Sequence, residues 1–449
     1  MPGKAVRSTL TAGKHAMTNV IERRRYALRA TRDALAANLD RYLPDTTHRD
    51  YFRWALSDQN PDQALFCRII ALDQLAHLTT AVLSDIGGND DWPTLVNQAL
   101  PVNLYQVFEV VSDNLSLGLA DVRADDDSEL RDLVVAFDTV AADDLCHPTS
   151  RPATELLAHL KAPTHQVSSF AQSLAERFHS TIAQKYAASV GNLDLDVLEH
   201  TVWSGLVANI ESGRDVLAAL AGTHAEPAMR ARTIERYEAV DRTLTTLRLS
   251  RDDLVLTSTQ TILVTPTLGY FGTVFGEILG DDPGYHAALD DGSLLAAFDT
   301  GSLLVRLQND IGTPLLLMPR TERTAFLQHL RDRAEPLDTA ISLLTKAVNE
   351  PVLNRFRKDL LNGEFNICLY EVYRSDSLRT GMDAFANGLD FFADLYARNK
   401  VAFGEQLTDL DGRLHDHRTT VMARRFVDFH EKMYTQAYDD YDMAGDYAV

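Results

Sequence analysis

Two oxygen-bearing side chains, Asn309 and Thr313, stand four residues apart at the end of an apolar run of this chain. On an α-helix, residues at this spacing lie on one face, one turn apart, so both oxygens would point the same way. Hard cations such as Mg²⁺ prefer oxygen ligands, and a few protein oxygens are enough when substrate phosphates and water supply the rest. The spacing therefore indicates a candidate magnesium site that handles a diphosphate.

The run that contains these residues resembles the second metal motif of class I terpene synthases, a helix of the pattern Arg/Leu-x-x-Asn-Asp-x-x-Ser/Thr-x-x-x-Glu. The residues that match are Arg306, Asn309, Asp310 and Thr313. The resemblance implies that Asn309, Asp310 and Thr313 belong to a Mg²⁺ site. It also implies that Arg306, one turn before Asn309, contacts the diphosphate.

The last position of the pattern departs from the family, because Leu317 stands where the motif has Glu. A leucine cannot ligate a metal ion. Pro314 also lies inside the motif, and proline lacks an N–H and crowds the preceding turn, so the helix is expected to kink or end near this residue. The metal would then take a carboxylate from elsewhere, and Glu364 and Glu371 are candidates for that substitution.

Class I enzymes carry a second, aspartate-rich motif that faces the Asn motif across a helical barrel. The candidate here is Asp143-Asp144, with His147 at the position of the third acid. Adjacent carboxylates at a helix C-terminus repel each other and the helix dipole, at a cost of a few tenths to ~1 kcal/mol that a cation would relieve. The alternative is that both are simply solvated at the end of a helix.

Two other acidic clusters compete for the same role. Asp125-Asp126-Asp127 reads as an N-cap cluster for the helix that starts near Glu129. Asp113-Asn114, preceded by Glu109 one turn earlier, could also point into a cavity. We rank 143–144 first because its distance from Asn309 leaves room for the helices that the family places between its two motifs.

Further residues of the reaction are inferred from the family pattern and from side-chain chemistry. Arg248 and Arg251 lie where the family places a diphosphate-sensing arginine, and the guanidinium fork matches phosphate oxygens. Tyr270, Phe271 and Phe275 lie in an apolar helix interrupted by proline and glycines. Their rings would suit a carbocation, which aromatic faces stabilise by roughly 0.5–2 kcal/mol each, although core packing is the alternative.

Apolar residues recur with helical period over almost the whole chain, so we expect an all-α fold, a class I terpenoid synthase-like bundle or barrel around a central cavity. The interval 253–264 is the single β-rich one and lies within a helix-compatible span. Predicted helices cover 17–43, 61–85, 95–119, 128–145, 166–190, 194–221, 226–249, 253–279, 292–313, 321–349, 351–375, 378–408 and 413–438. We expect a helical extension over 1–60, the main α-domain over 61–438, and an acidic tail over 439–449.

Composition narrows the classes of partner. The chain has 449 residues, and its formal net charge of −21 argues against nucleic acid, whose binding depends on an excess of Lys and Arg. The three cysteines indicate neither a disulfide framework nor a zinc site, so we expect the protein to lie in a reducing cytoplasm. No apolar run approaches the ~18 residues of a membrane span, so no integral membrane segment is expected. Composition does not decide between a monomer and a homodimer.

The resemblance implies a Mg²⁺-dependent terpene synthase that ionises an allylic prenyl diphosphate and cyclises or quenches the carbocation. The main rival is a helical di-iron oxidase, whose sites use Glu-x-x-His motifs on facing helices. Glu176 and His179 give one such spacing, and Asp73 and His77 a related one. A prenyltransferase or a non-catalytic relative on the same scaffold is the remaining alternative.

Overall fold

A computed structural model describes most of the chain. The described residues are 19–87, 91–115, 121–122, 129–165, 185–186, 188, 201–246 and 248–435. Within these ranges the regular structure is helical and no strand is present, which confirms the predicted all-α class. The acidic tail predicted over 439–449 lies outside the described residues.

The α-helices are numbered along the described chain. The first ten are α1 Val20–Tyr42, α2 Thr47–Ala55, α3 Gln63–Ile69, α4 Leu72–Leu83, α5 Trp92–Leu115, α6 Glu129–Cys146, α7 Ala153–Leu156, α8 Lys161–His165, α9 Thr201–Ala219 and α10 Glu226–Thr245. The others are α11 Arg251–Gln260, α12 Val264–Thr273, α13 Pro283–Asp290, α14 Ser293–Ile311, α15 Thr313–Leu317, α16 Arg320–Asp332, α17 Ala340–Lys346, α18 Arg357–Asn362, α19 Leu378–Asp411 and α20 Arg418–Met433. Short 3₁₀ turns cover Ala158–Leu160 and Pro351–Phe356, and Val274–Ile278 is a π-helical turn that continues α12.

Several predicted long helices are broken in the structure, and the backbone shows why at two of the breaks. The helix predicted over 61–85 divides into α3 and α4 at Ala71, whose φ of 63° is left-handed and cannot continue a helix. The helix predicted over 351–375 ends early, because Gly363 adopts φ 69° and stops α18. The β-rich interval 253–264 forms most of α11, the turn that follows it and the first residue of α12.

The helices bury two apolar cores. The amino-terminal core contains Phe52 of α2, Phe66 of α3 and Phe108 of α5, while the carboxy-terminal core contains Phe298 of α14 and Phe385 of α19. Helix α5 belongs to both cores, since its first half (Val96, Ala99) packs in the second and its last half (Phe108, Val111) packs in the first. Helices α1, α4, α9 and α10 likewise contribute residues to both cores, so the two halves of the chain are joined along several helices.

The predicted boundary at residue 60 is not a boundary in the packing. Leu39 and Tyr42 of α1 are buried in the amino-terminal core, and the ring of Tyr42 lies 5.5 Å from that of Phe108. Arg24 of α1 also pairs with Asp73 of α4 at 2.8 Å. The described part of 1–60 is thus built into the same core as α5 and α9 and is not an added extension, because α1 carries an apolar stripe that must be covered.

Replacing Leu39 by alanine tests this integration. Leu39 is 1% exposed, so Leu39→Ala is expected to lower the free energy of unfolding by about 2–5 kcal/mol. Ile21→Ala on the same helix is the control, because Ile21 is 57% exposed and its loss should change stability by less than about 0.5 kcal/mol. Urea denaturation measures both. If Leu39→Ala left the urea unfolding transition unchanged, residues 1–60 would be a separate extension after all.

Within the described residues, no single helix combines the length and the apolarity of a membrane span. Helices α3 and α4, which are bent by 67° relative to each other, have that length and apolarity only when the two are taken together.

Candidate functional site

A cavity of about 630 Å³ is walled by residues of both cores. One part of its wall is apolar and includes the rings of Phe137, Phe365, Phe426 and Phe429. Another part is densely charged. Nine of the charged side chains come from five helices and one 3₁₀ turn, namely Glu109, Asp113, Asp138, Arg236, Arg306, Asp310, Arg355, Lys358 and Asp359. Arg68 of α3, Asp73 of α4 and Glu364 also line the cavity. A volume in this range suits a small-molecule ligand with both apolar and polar parts.

Arg306 and Asp310 of the sequence motif form a buried ion pair on α14. Arg306 Nη2 lies 2.8 Å from Asp310 Oδ2, at the i, i+4 spacing that places both on one helix face. The amide of Ile367 also donates to Asp310 Oδ2 at 2.9 Å. Burial raises the pKa of Asp310, although the charge of Arg306 opposes the shift. Arg306 Nε is buried without a hydrogen-bond partner among the described residues.

Asn309 also lines the cavity, but its amide oxygen already accepts a hydrogen bond. Arg355 Nη2 donates to Asn309 Oδ1 at 2.8 Å, and Arg355 Nε donates to the Asn309 carbonyl at 3.0 Å. The guanidinium of Arg355 stacks 4.6 Å from the ring centroid of Tyr434. The oxygen predicted to bind a metal thus faces a cation that several contacts hold in place.

Thr313 does not lie above Asn309, which corrects the prediction from their spacing. Helix α14 ends at Ile311, and Gly312 adopts φ 87°, a left-handed conformation that redirects the chain before Thr313 begins α15. The Thr313 hydroxyl donates to the Glu431 carbonyl at 2.8 Å. The helix was expected to break near Pro314, and it breaks two residues earlier, at the glycine.

The donor set at the motif does not fit Mg²⁺. The ion requires a nearly octahedral shell of oxygens, whereas Asp310 and Asn309 direct theirs to Arg306 and Arg355. In the part of the chain that the structure describes, no group of three or more His, Cys, Asp or Glu side chains is arranged to hold a metal ion. Leu317 is 55% exposed on α15, so even a glutamate at this position would lie outside the cavity lining.

Asp143 and Asp144, the predicted aspartate-rich pair, are not among the residues that line the cavity. Asp144 is buried and forms a bidentate pair with Arg214, at 2.7 Å and 2.6 Å. Asp143 is exposed and contacts His147 at 3.1 Å. The prediction that these carboxylates face Asn309 is therefore corrected, because a protein cation on α9 neutralises the buried one.

Helix α6 turns Asp138 to the cavity instead, five residues before Asp143 and therefore about 140° away around the helix. Burial raises the pKa of Asp138 well above its ordinary range, and the charge of Glu109 adds to the shift while that of Arg236 opposes it. Arg236 of α10 pairs with Glu109 of α5 and lies 3.7 Å from Asp138. Glu109 also accepts a hydrogen bond from Asn209 at 2.9 Å.

The two predicted sensor arginines lie elsewhere on the molecule. Arg248 is 76% exposed and approaches Glu371 at 3.4 Å, and Arg251 stacks 4.7 Å from the ring centroid of Phe391. Neither lines the cavity. Of the two carboxylates considered as substitute ligands, Glu364 lines the cavity and Glu371 does not.

The aromatic residues predicted as cavity walls pack in the core instead. Tyr270, Phe271 and Phe275 are at most 4% exposed, and none belongs to the cavity lining. The Tyr270 hydroxyl donates to the Gln98 carbonyl at 2.8 Å, and Phe275 lies under the guanidinium of Arg418. All three rings are buried in the carboxy-terminal core, on α12 and on the π-helical turn that follows it.

The acidic alternatives fall in different places. Glu109 and Asp113 both line the cavity, one turn apart on α5, and Asp113 pairs with Lys358 of α18. Of the residues weighed for a di-iron site, Asp73 pairs with Arg24 at 2.8 Å, and the ring of His77 packs against that of Phe429. Two further sets, 125–127 and the pair Glu176 and His179, lie outside the described residues.

Several cavity residues carry no signal in the sequence motifs, namely Arg236, Arg355, Lys358 and Asp359. Asp359 is joined to the motif through Asn366, whose amide donates to Asp359 Oδ2 at 2.7 Å and to the Asp310 carbonyl at 2.9 Å. Burial and the charge of Asp310 raise the pKa of Asp359 to about 7. This carboxyl therefore titrates near neutral pH, beside Lys358 and Arg355.

No family model matches this chain, and comparisons with curated proteins and with solved structures found no match.

Replacing Asp359 by asparagine should change how stability depends on pH. The folded-state pKa exceeds that of the unfolded chain, so the folded protein binds the extra proton between about pH 4 and 7 and loses stability as the pH rises through this interval. Asp359→Asn removes this loss. The free energy of unfolding of the variant, relative to the parent, should therefore increase from pH 5 to pH 8. A relative stability that does not change with pH would contradict the assignment, and exposed Asp143→Asn controls for the loss of one negative charge.

Substitution of Asp144 is expected to lower the free energy of unfolding, because this residue pairs with Arg214 and does not line the cavity. Asp144→Ala leaves Arg214 without its bidentate partner, at a cost of about 3 kcal/mol, toward the low end for buried pairs because Arg214 keeps partial exposure. Asp143→Ala should cost less than about 0.5 kcal/mol. Guanidinium denaturation measures both values. Equal effects of the two substitutions would show that the Arg214 contact contributes little.

Proposed function

We propose that this protein binds an allylic prenyl diphosphate in the central cavity and promotes departure of the diphosphate, as a terpene synthase-like enzyme. The observation that carries the proposal is that one cavity joins an apolar, aromatic wall to a charged wall that contains Arg306 and Asn309 of the family motif. A prenyl diphosphate has the same two-part character, with an apolar chain and an anionic head.

The reaction in this proposal is heterolysis of the carbon–oxygen bond, in which the bonding electrons leave with the diphosphate. Departure is favoured when positive groups are already positioned where the leaving charge develops. Arg306 and Arg355 are held by several contacts, so little reorganisation is needed when that charge appears. No step is assigned to Mg²⁺, since the motif oxygens do not form its ligand set.

The apolar wall suits the other half of the reaction. The rings of Phe137, Phe365, Phe426 and Phe429 line the cavity, and their faces stabilise a nearby carbocation by roughly 0.5–2 kcal/mol each. An apolar wall also limits attack by water, so that the cation can rearrange before it loses a proton or adds water. These rings take the roles predicted for Tyr270, Phe271 and Phe275, which pack in the core.

The test is incubation of the purified full-length chain with geranyl, farnesyl and geranylgeranyl diphosphates, with Mg²⁺ and with a chelator. Diphosphate release and extractable hydrocarbon or alcohol products are measured together. Release should occur with at least one chain length, and Arg355→Gln should reduce it about tenfold or more, since an oriented charged donor to the leaving group is removed. Arg248→Gln is the matched control, because Arg248 lies outside the cavity.

Absence of release with all three diphosphates would reject the enzymatic proposal. A non-catalytic binding protein on the same scaffold is the second candidate, and one observation favours it. Arg306 and Lys358 already pair with the carboxylates of Asp310 and Asp113, which weakens their pull on a leaving group. Binding of farnesyl diphosphate without turnover would support this candidate.

A further inference from the structure

The cavity wall beside the family motif concentrates side-chain cations. Arg306 comes from α14, Arg355 from the 3₁₀ turn Pro351–Phe356, and Lys358 from α18. All three line the cavity, and Arg306 and Arg355 are each less than 9% exposed. They reach one region because Arg355 contacts Asn309, which is three residues beyond Arg306, and because Lys358 follows Arg355 closely in the chain.

The carboxylates around these cations do not form a metal cage. The Asp310 oxygens are engaged by Arg306, by the Ile367 amide and by the side-chain amide of Asn309. Asp359 binds Asn366, and its pKa of about 7 leaves it partly protonated at neutral pH. The protonated fraction of this carboxyl adds no negative charge beside Lys358 and Arg355. Arg306 is paired with Asp310 and Lys358 with Asp113, so three cations stand beside three carboxylates here. The guanidinium groups that line the cavity would repel a further cation and attract an anion.

We infer that Arg306, Arg355 and Lys358 form a diphosphate site that works without a metal ion, with protein cations in the place that the family gives to Mg²⁺. The inference rests on the proposed function for its choice of ligand. The arginine forks match diphosphate oxygens in a planar, two-donor geometry, and the lysine adds a point charge. Asn309 acts in this site as a positioning residue, since its two oxygens hold the Arg355 guanidinium.

Isothermal titration of the full-length protein with inorganic pyrophosphate tests the inference, first in a chelator and then in Mg²⁺. We expect binding in both conditions, with affinities within about threefold, and no heat from titration of Mg²⁺ alone. Lys358→Gln should weaken pyrophosphate binding about tenfold in the chelator, as expected for one lost charge-assisted contact. Lys346→Gln is the matched control, because Lys346 also pairs with an aspartate, Asp338, but lies outside the cavity.

Restoring the missing motif residue gives a second, independent test. Leu317→Glu completes the family pattern in sequence, but position 317 follows the break at Gly312 and lies on the exposed side of α15. The variant should therefore gain no Mg²⁺ binding and no Mg²⁺ dependence of pyrophosphate binding. Since position 317 is exposed, this variant is expected to fold like the parent, which circular dichroism checks.

The outcomes separate the two proposals. Pyrophosphate binding that requires Mg²⁺, or that Leu317→Glu makes dependent on Mg²⁺, would overturn the metal-free site and leave prenyl diphosphate turnover possible. No pyrophosphate binding in either condition would also overturn it. Binding in the chelator together with no turnover of any prenyl diphosphate would support the site and reject the enzymatic proposal.

Discussion

Burial of the Asp310 carboxylate is the constraint on which the polar wall of the cavity depends. An ionised carboxylate inside a protein costs several kcal/mol unless a cation and hydrogen bonds compensate it. Arg306 supplies the cation from the same helix, and the amide of Ile367 supplies a hydrogen bond from a distant segment. Asn366 then links the Asp310 backbone to Asp359. Satisfying one buried charge thus fixes the segment after Gly363 against α14.

Local patterning was sufficient to predict the all-α class and to place two motif residues on one face of a helix. Helical periodicity predicted the all-α chain, and Arg306 and Asn309 reach the cavity because they share a face of an unbroken stretch of α14. The alternative cluster Glu109 and Asp113, separated by one turn, also reaches it. Each of these predictions depends only on residues within a few turns of one another, where the helix itself determines their relative positions.

The rest depended on information that spacing along the chain does not contain. Asp143 and Asp144 matched a motif, yet the direction that α6 presents to the cavity is set by its packing against α10, and Asp138 points there instead. Arg355 and Lys358 are far from Asn309 in sequence and come from short segments whose conformation follows from the turns around them. The sequence predicted the end of α14 near Pro314 from the proline alone. The helix ends two residues earlier because Gly312 takes a positive φ, which the residue type permits but does not require.

The helices shared by the two cores determine how binding in the cavity affects the stability of the fold. Because helices α1, α4, α5, α9 and α10 each pack in both cores, loss of one core would remove packing contacts of the other. The cavity is lined by residues of both cores, so a molecule bound there would contact both. Binding of this molecule to the folded state would raise the free energy of unfolding, so the melting temperature would increase with the occupied fraction of the cavity.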